Sequence, residues 1–212
     1  MTYFSDVAAL ARKDVLLELR AKETLPSMLL FVVAALAIFH FALPHGSGHV
    51  AALGLLWVAL IFTALLALTR AFVAEREQGL FDALVLAPCD RSAIWLGKAL
   101  AVLLFLGCAE VVALPAFAVF FSGVDARTVA AVALADVGIA AVGTLLGAMA
   151  VAGRARELLL PLLFLPLAMP IVVGGVGASA GAGGRFLLFL VLYDAVFSLL
   201  AWASFEYVIA ET

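Results

Sequence analysis

Six runs of about twenty apolar residues set the terms for this chain, at about 26–43, 50–69, 99–121, 129–152, 158–176 and 186–205. A bilayer's hydrocarbon core is about 30 Å thick, and a helix crossing it needs about 20 mostly apolar residues. A chain of 212 residues could build one soluble core, but these runs are too long for that. Only 13% of the residues are charged, against roughly 25% in an ordinary soluble domain. The expectation is an all-α integral membrane protein, with six transmembrane helices in a single membrane domain over residues 1–212.

Lysine and arginine orient the spans, because cytoplasmic loops retain them. Arg12, Lys13, Arg20, Lys22, Arg70, Arg76, Arg91, Lys98, Arg154 and Arg156 fall on one side, and only Arg127 and Arg185 on the other. Ten against two puts both termini in the cytoplasm. The net charge of −3 says little about partners, since placement rather than net charge is read. Membrane lipid is an expected partner and nucleic acid is not.

Ahead of the first span, residues 1–25 read as an amphipathic helix on the cytoplasmic membrane surface. Phe4, Val7, Ala8, Ala11, Val15 and Leu19 recur at helical spacing, with Arg12, Lys13 and Arg20 towards the other face and Glu18 interrupting the arc. An ordinary basic flank is the competing reading. This segment lacks the pattern of a cleavable signal peptide. Cys89 and Cys108 form no redox or haem-attachment motif; they read as a loop thiol and a small intramembrane hydrophobe.

The outer connections are short: PHGSGH (44–49), GVDART (123–128) and a Gly-rich linker at 174–184. They leave no room for an external domain. Gly143 and Gly147 form G-x-x-x-G, which allows close helix approach. Pro161, Pro166 and Pro170 should kink or break the fifth span, as in helices that line transport pathways, although proline is also common in membrane helices generally.

Three carboxylates lie inside spans: Glu110, Asp136 and Asp194. An aspartate at a helix centre costs about 2.5–3.5 kcal/mol on insertion scales, so these should face protein or water. Either they form a polar track or they fix helix packing, and the lack of further relay groups favours packing. His40, His45 and His49 gather near the outer end of the first two spans, where imidazole could contact haem. No supporting motif accompanies them. Catalytic motifs, metal-ligand spacings and a phosphate-binding loop are absent, because Gly97-Lys98 lacks the upstream glycine and the following Ser/Thr. The chain is expected to be no enzyme, with no catalytic residue and no metal.

One stretch departs from its surroundings. Between Glu75 and Lys98, seven of 24 residues are charged. Glu75, Gln78 and Asp82 make an acidic helical face, while Leu80 and Leu84 mark an apolar one. Gly79 weakens that helix and Pro88 ends it, and Asp90 can cap a second helix through Ile94 and Trp95 into span three. The loop at 70–98 therefore reads as a cytoplasmic coupling helix between spans two and three, shaped to dock in a partner's groove. A solvated loop without a partner is the competing reading.

These residues carry a resemblance. E-x-E-x-G-x-x-x-A-L-x-x-A-P (75–88) followed by R-S-A-I-x-L-G-K (91–98) resembles the cytoplasmic loop of ABC-2-type permeases, and more narrowly that of the haem exporter protein B (CcmB) family of cytochrome c maturation. Residues 12–31, 136–150, 154–173 and 193–211 resemble the same family's other segments, so the likeness covers nearly the whole chain. It implies a permease subunit in a bacterial cytoplasmic membrane, beside an ABC ATPase subunit that supplies ATP hydrolysis and a second copy of itself. It further implies a haem-handling membrane protein with a tryptophan-rich signature and a haem chaperone. The tryptophans here, Trp57, Trp95 and Trp202, are isolated, which fits a partner holding the haem. Haem is then a transported or handled species rather than a bound cofactor.

Three functions stay open on the sequence: a haem-export permease, a non-transporting actuator that releases the loaded chaperone, and a generic ABC-2 permease for a lipid or drug. In the first, Glu75, Glu77, Gly79, Asp82, Leu84, Pro88 and Arg91 contact the ATPase.

Overall fold

The computed structural model describes residues 3–44, 48–71, 90–121, 123–152, 156–181 and 184–210. Among them are seven helices and no strand: α1 (Tyr3–Ala21), α2 (Thr24–Ala42), α3 (His49–Arg70), α4 (Arg91–Phe120), α5 (Ala126–Ala152), α6 (Arg156–Ser179) and α7 (Arg185–Ala210). Helices α2 to α7 are each long and apolar enough to cross a bilayer, in the six places the apolar runs mark. At α4 the span is longer than the run: 30 residues at 1.5 Å rise give about 45 Å, so one end projects beyond the hydrocarbon.

Lipid tails are as apolar as leucine, so these helices associate through close packing rather than through exclusion of water. The small-residue sequence of α5 suits that role. It packs on α6 and α7 and also touches α3 and α4, and it is the most buried span. A Cβ at Gly143 would collide with the Leu68 side chain of α3, so α3 packs closely on α5 there. The outer faces of α2 and α7 carry exposed Leu30, Ile38, Leu192 and Leu199, which suit contact with lipid.

The packing adds three points to the sequence reading. First, α1 is docked on α4. Val7 is buried, while Phe4 and Leu19 are 77% and 54% exposed. Second, the prolines do not break the fifth span: Pro161, Pro166 and Pro170 all lie within continuous α6. In the turn between the last two, the Tyr193 hydroxyl of α7 donates to the Leu167 carbonyl at 2.8 Å. Third, much of the Gly-rich stretch is helix rather than linker. A Cβ at Gly174 would meet Leu190 at 2.9 Å, one at Gly177 would meet Phe186 at 2.6 Å, and one at Gly175 would strike Trp57. These glycines let α6 close on α7 and α3, and Gly181 (φ 78°) follows the end of the helix.

Candidate functional site

Glu75, Glu77, Gly79, Asp82, Leu84 and Pro88 of the expected coupling loop lie outside the described residues, as does His45. The two flanks of that segment are described, and both are built into the bundle. At the exit, Asp90 caps α4: its carboxylate accepts the Ser92 N–H at 3.0 Å and the Ser92 hydroxyl at 2.8 Å. Those hydrogen bonds, the hydroxyl's first, hold the Asp90 carboxyl below its usual range. The Ser92 hydroxyl also lies 3.2 Å from the Tyr3 hydroxyl of α1. Arg91, the remaining loop candidate, reaches the Glu206 carbonyl of α7 only at 3.5 Å.

At the entry, the Ala71 carbonyl at the end of α3 accepts a hydrogen bond from Lys98 Nζ at 2.7 Å. Lys98 is only 3% exposed, although the sequence places it among loop cations. Its ammonium also stands 3.2 Å from Asp14 Oδ2 of α1, while Asp14 Oδ1 meets Lys13 at 2.9 Å. One buried cation thus joins α1, α3 and α4. Gly97 makes room for it, since a Cβ there would lie 2.8 Å from Leu10 Cβ and 3.2 Å from the Val7 carbonyl. A buried charge needs this pairing, because desolvating it alone costs several kcal/mol.

Sequence reasoning missed Asp14 and Lys98 as partners. The available signal was Asp14 on the Val7–Ala11–Val15 stripe, where a carboxylate needs an opposite charge once the stripe docks. Glu18, which interrupts the apolar arc, accepts the Thr24 N–H at 2.8 Å and so ties α1 to the start of α2. Trp95 is fixed in a similar way, with its indole N–H donating to the Ala141 carbonyl of α5 at 3.3 Å.

The intramembrane carboxylates separate into a pair and a single group. Glu110 of α4 and Asp136 of α5 are neighbours on one cleft. They line a narrow cleft with Trp57, Thr63, Leu106 and Ile139, which has room for about one water molecule. Asp194 of α7 lies on the far side of α5, with Oδ1 against Gly138. Both its oxygens are buried and neither reaches hydrogen-bond geometry, although the Gly138 backbone is the adjacent polar group.

At the other end of the bundle, the His40 ring packs among Phe41, Phe120 and Phe121, with centroids 5.3, 5.6 and 5.6 Å away. His49 begins α3 on the same end. Asp125 caps α5 there, accepting the Thr128 hydroxyl at 2.6 Å and its N–H at 2.8 Å, which lowers its pKa from the usual value.

Six apolar helices around a shared apolar core, with a built polar joint at one end, define a polytopic α-helical membrane protein. Residues 5–206 match the CcmB protein family, and the chain belongs to that family. It is 37% identical over 175 residues to "Heme exporter protein B" of Pseudomonas aeruginosa, covering 80% of this chain and 78% of that protein. Proteins of the same name from Bradyrhizobium diazoefficiens and Paracoccus denitrificans are each 29% identical, over 179 and 205 residues. Those matches cover 82% and 93% of this chain, and 80% and 94% of the relatives. Helical spans and bacterial relatives make this a multi-pass protein of the bacterial inner membrane.

Proposed function

We propose that the chain is the membrane permease component of an ABC haem-export system in cytochrome c maturation. The observation that carries this is membership of the CcmB family, whose matching relatives bear the name heme exporter protein B. The sequence has no phosphate-binding loop, so ATP hydrolysis falls to a partner subunit. Both termini face the cytoplasm, and the segment holding Glu75, Glu77, Gly79, Asp82, Leu84 and Pro88, with Arg91 beside it, contacts that ATPase. Two copies of this chain work with two of the ATPase, next to a haem-handling membrane protein and a haem chaperone. The anchoring of both flanks of the segment supports this reading, because a contact that transmits motion needs fixed ends.

A second reading makes the chain a non-transporting actuator for chaperone release, and membership of the CcmB family is compatible with it. Purification from native membranes, with identification of co-purifying chains and bound haem, tests the main reading. An ABC ATPase and a haem-binding membrane protein should come with it; an ATPase with a lipid or drug pathway instead would overturn it. Haem transfer into vesicles holding only this chain and its ATPase separates export from actuation.

A further inference from the structure

Lys98 of α4 is buried, yet its partners belong to two other helices: Asp14 to α1 and Ala71 to the end of α3. Replacing a buried ion pair with well-packed apolar residues is often neutral or stabilising, so stability alone is a weak reason for this one. A lysine ammonium is a compact charge with three donors on a flexible stem, able to bind a carboxylate and a carbonyl together. Gly97 brings α1 against α4 at the same level, and the Tyr3–Ser92 contact fastens the first turn of α1 to the first turn of α4. Helix α1 therefore holds the α4 flank of the polar segment directly and the α3 flank through Lys98.

We propose that Asp14, Lys98 and the Ala71 carbonyl form a transmission joint, through which movement at the α1 end of the bundle reaches α3 and α4 as one unit. This deepens the coupling reading and rests on it. Asp14 and Lys98 act as positioning residues, touching neither nucleotide nor cargo. With the joint broken, the ATPase still binds and turns over, but its work no longer reaches the membrane helices.

The test uses the complete complex in bacterial membranes, with Asp14→Asn, Lys98→Met, the double variant Asp14→Leu/Lys98→Met and the swap Asp14→Lys/Lys98→Asp. Three quantities are read: accumulation of the chain, co-purification of the ATPase, and holocytochrome c formed per ATP hydrolysed. The apolar double variant should accumulate and retain the ATPase, while its yield per ATP falls at least about fivefold, the lower end of ordinary coupling between sites. The swap should recover part of that yield. A double variant with unchanged yield per ATP overturns the joint and leaves the coupling reading intact. Failure of both doubles to accumulate also overturns it, because the pair would then serve folding alone. Wild-type chain that retains no ATPase at all defeats the underlying reading instead.

Discussion

A Cβ placed on Gly138 of α5 would stand 2.6 Å from Oδ1 of Asp194 in α7. The aspartate fits against α5 only because residue 138 has no side chain. Gly138→Ala should therefore force α5 and α7 apart, costing about 1–3 kcal/mol as overpacking does. Adding Asp194→Ala should recover most of the loss, and thermal unfolding of the detergent-solubilised protein would read this double-mutant cycle. A double variant no more stable than Gly138→Ala would assign the clash to the Tyr193 ring, which is 3.2 Å from the same position.

The shared cleft of Glu110 and Asp136 predicts a difference between two neighbouring substitutions. Asp136→Asn offers Glu110 a donor and should unfold close to wild type. Asp136→Ala leaves Glu110 without that donor and should cost about 1–3 kcal/mol, the usual penalty for orphaning a buried polar group. Equal loss from both would show that charge or volume, rather than a hydrogen bond, matters here.

The caps Asp90 and Asp125 predict a pH dependence. Both carboxyls sit below their ordinary pKa of 3.8, held there chiefly by Ser92 and Thr128 hydroxyls. A lowered folded-state value stabilises the fold above the unfolded pKa, and the contribution disappears as pH falls through the folded value. The stability gap between wild type and Asp90→Ala should be full at neutral pH and shrink as pH falls through the ordinary value of 3.8 and below it. Asp90→Asn should retain the cap without the pH dependence. A gap that stays constant over that range counts against the cap.

Charge reversal in the polar segment tests the docking contact itself. Glu75→Lys with Glu77→Lys should lower ATPase co-purification by at least about tenfold, since like charges set against each other at an interface cost several kcal/mol. Accumulation of the chain in the membrane should be unchanged. Undiminished ATPase binding would remove these glutamates from the contact.

Much of the architecture was legible in sequence because the bilayer makes demands that composition answers. A span needs its apolar length in one piece, so six runs gave six helices, and Asp90 before Ser92 gave the start of the fourth. Proline and glycine misled for the opposite reason: their effect depends on neighbours. Pro161, Pro166 and Pro170 stay within an unbroken α6, and Gly174, Gly175 and Gly177 form contact surface where linker composition suggests a loop.

The sequence alone determined that this chain is a six-span membrane protein of the CcmB family with one polar interruption, because apolar length and motif order are properties of the chain itself. Tertiary structure decided which charges meet. Glu110 and Asp136 stand 26 positions apart, and Asp14 and Lys98 stand 84 apart. Helical spacing says which face of its own helix a residue occupies, but not which other helix covers that face. Only the packing of α1 on α4 turns Lys98 from a loop cation into the buried tie between three helices.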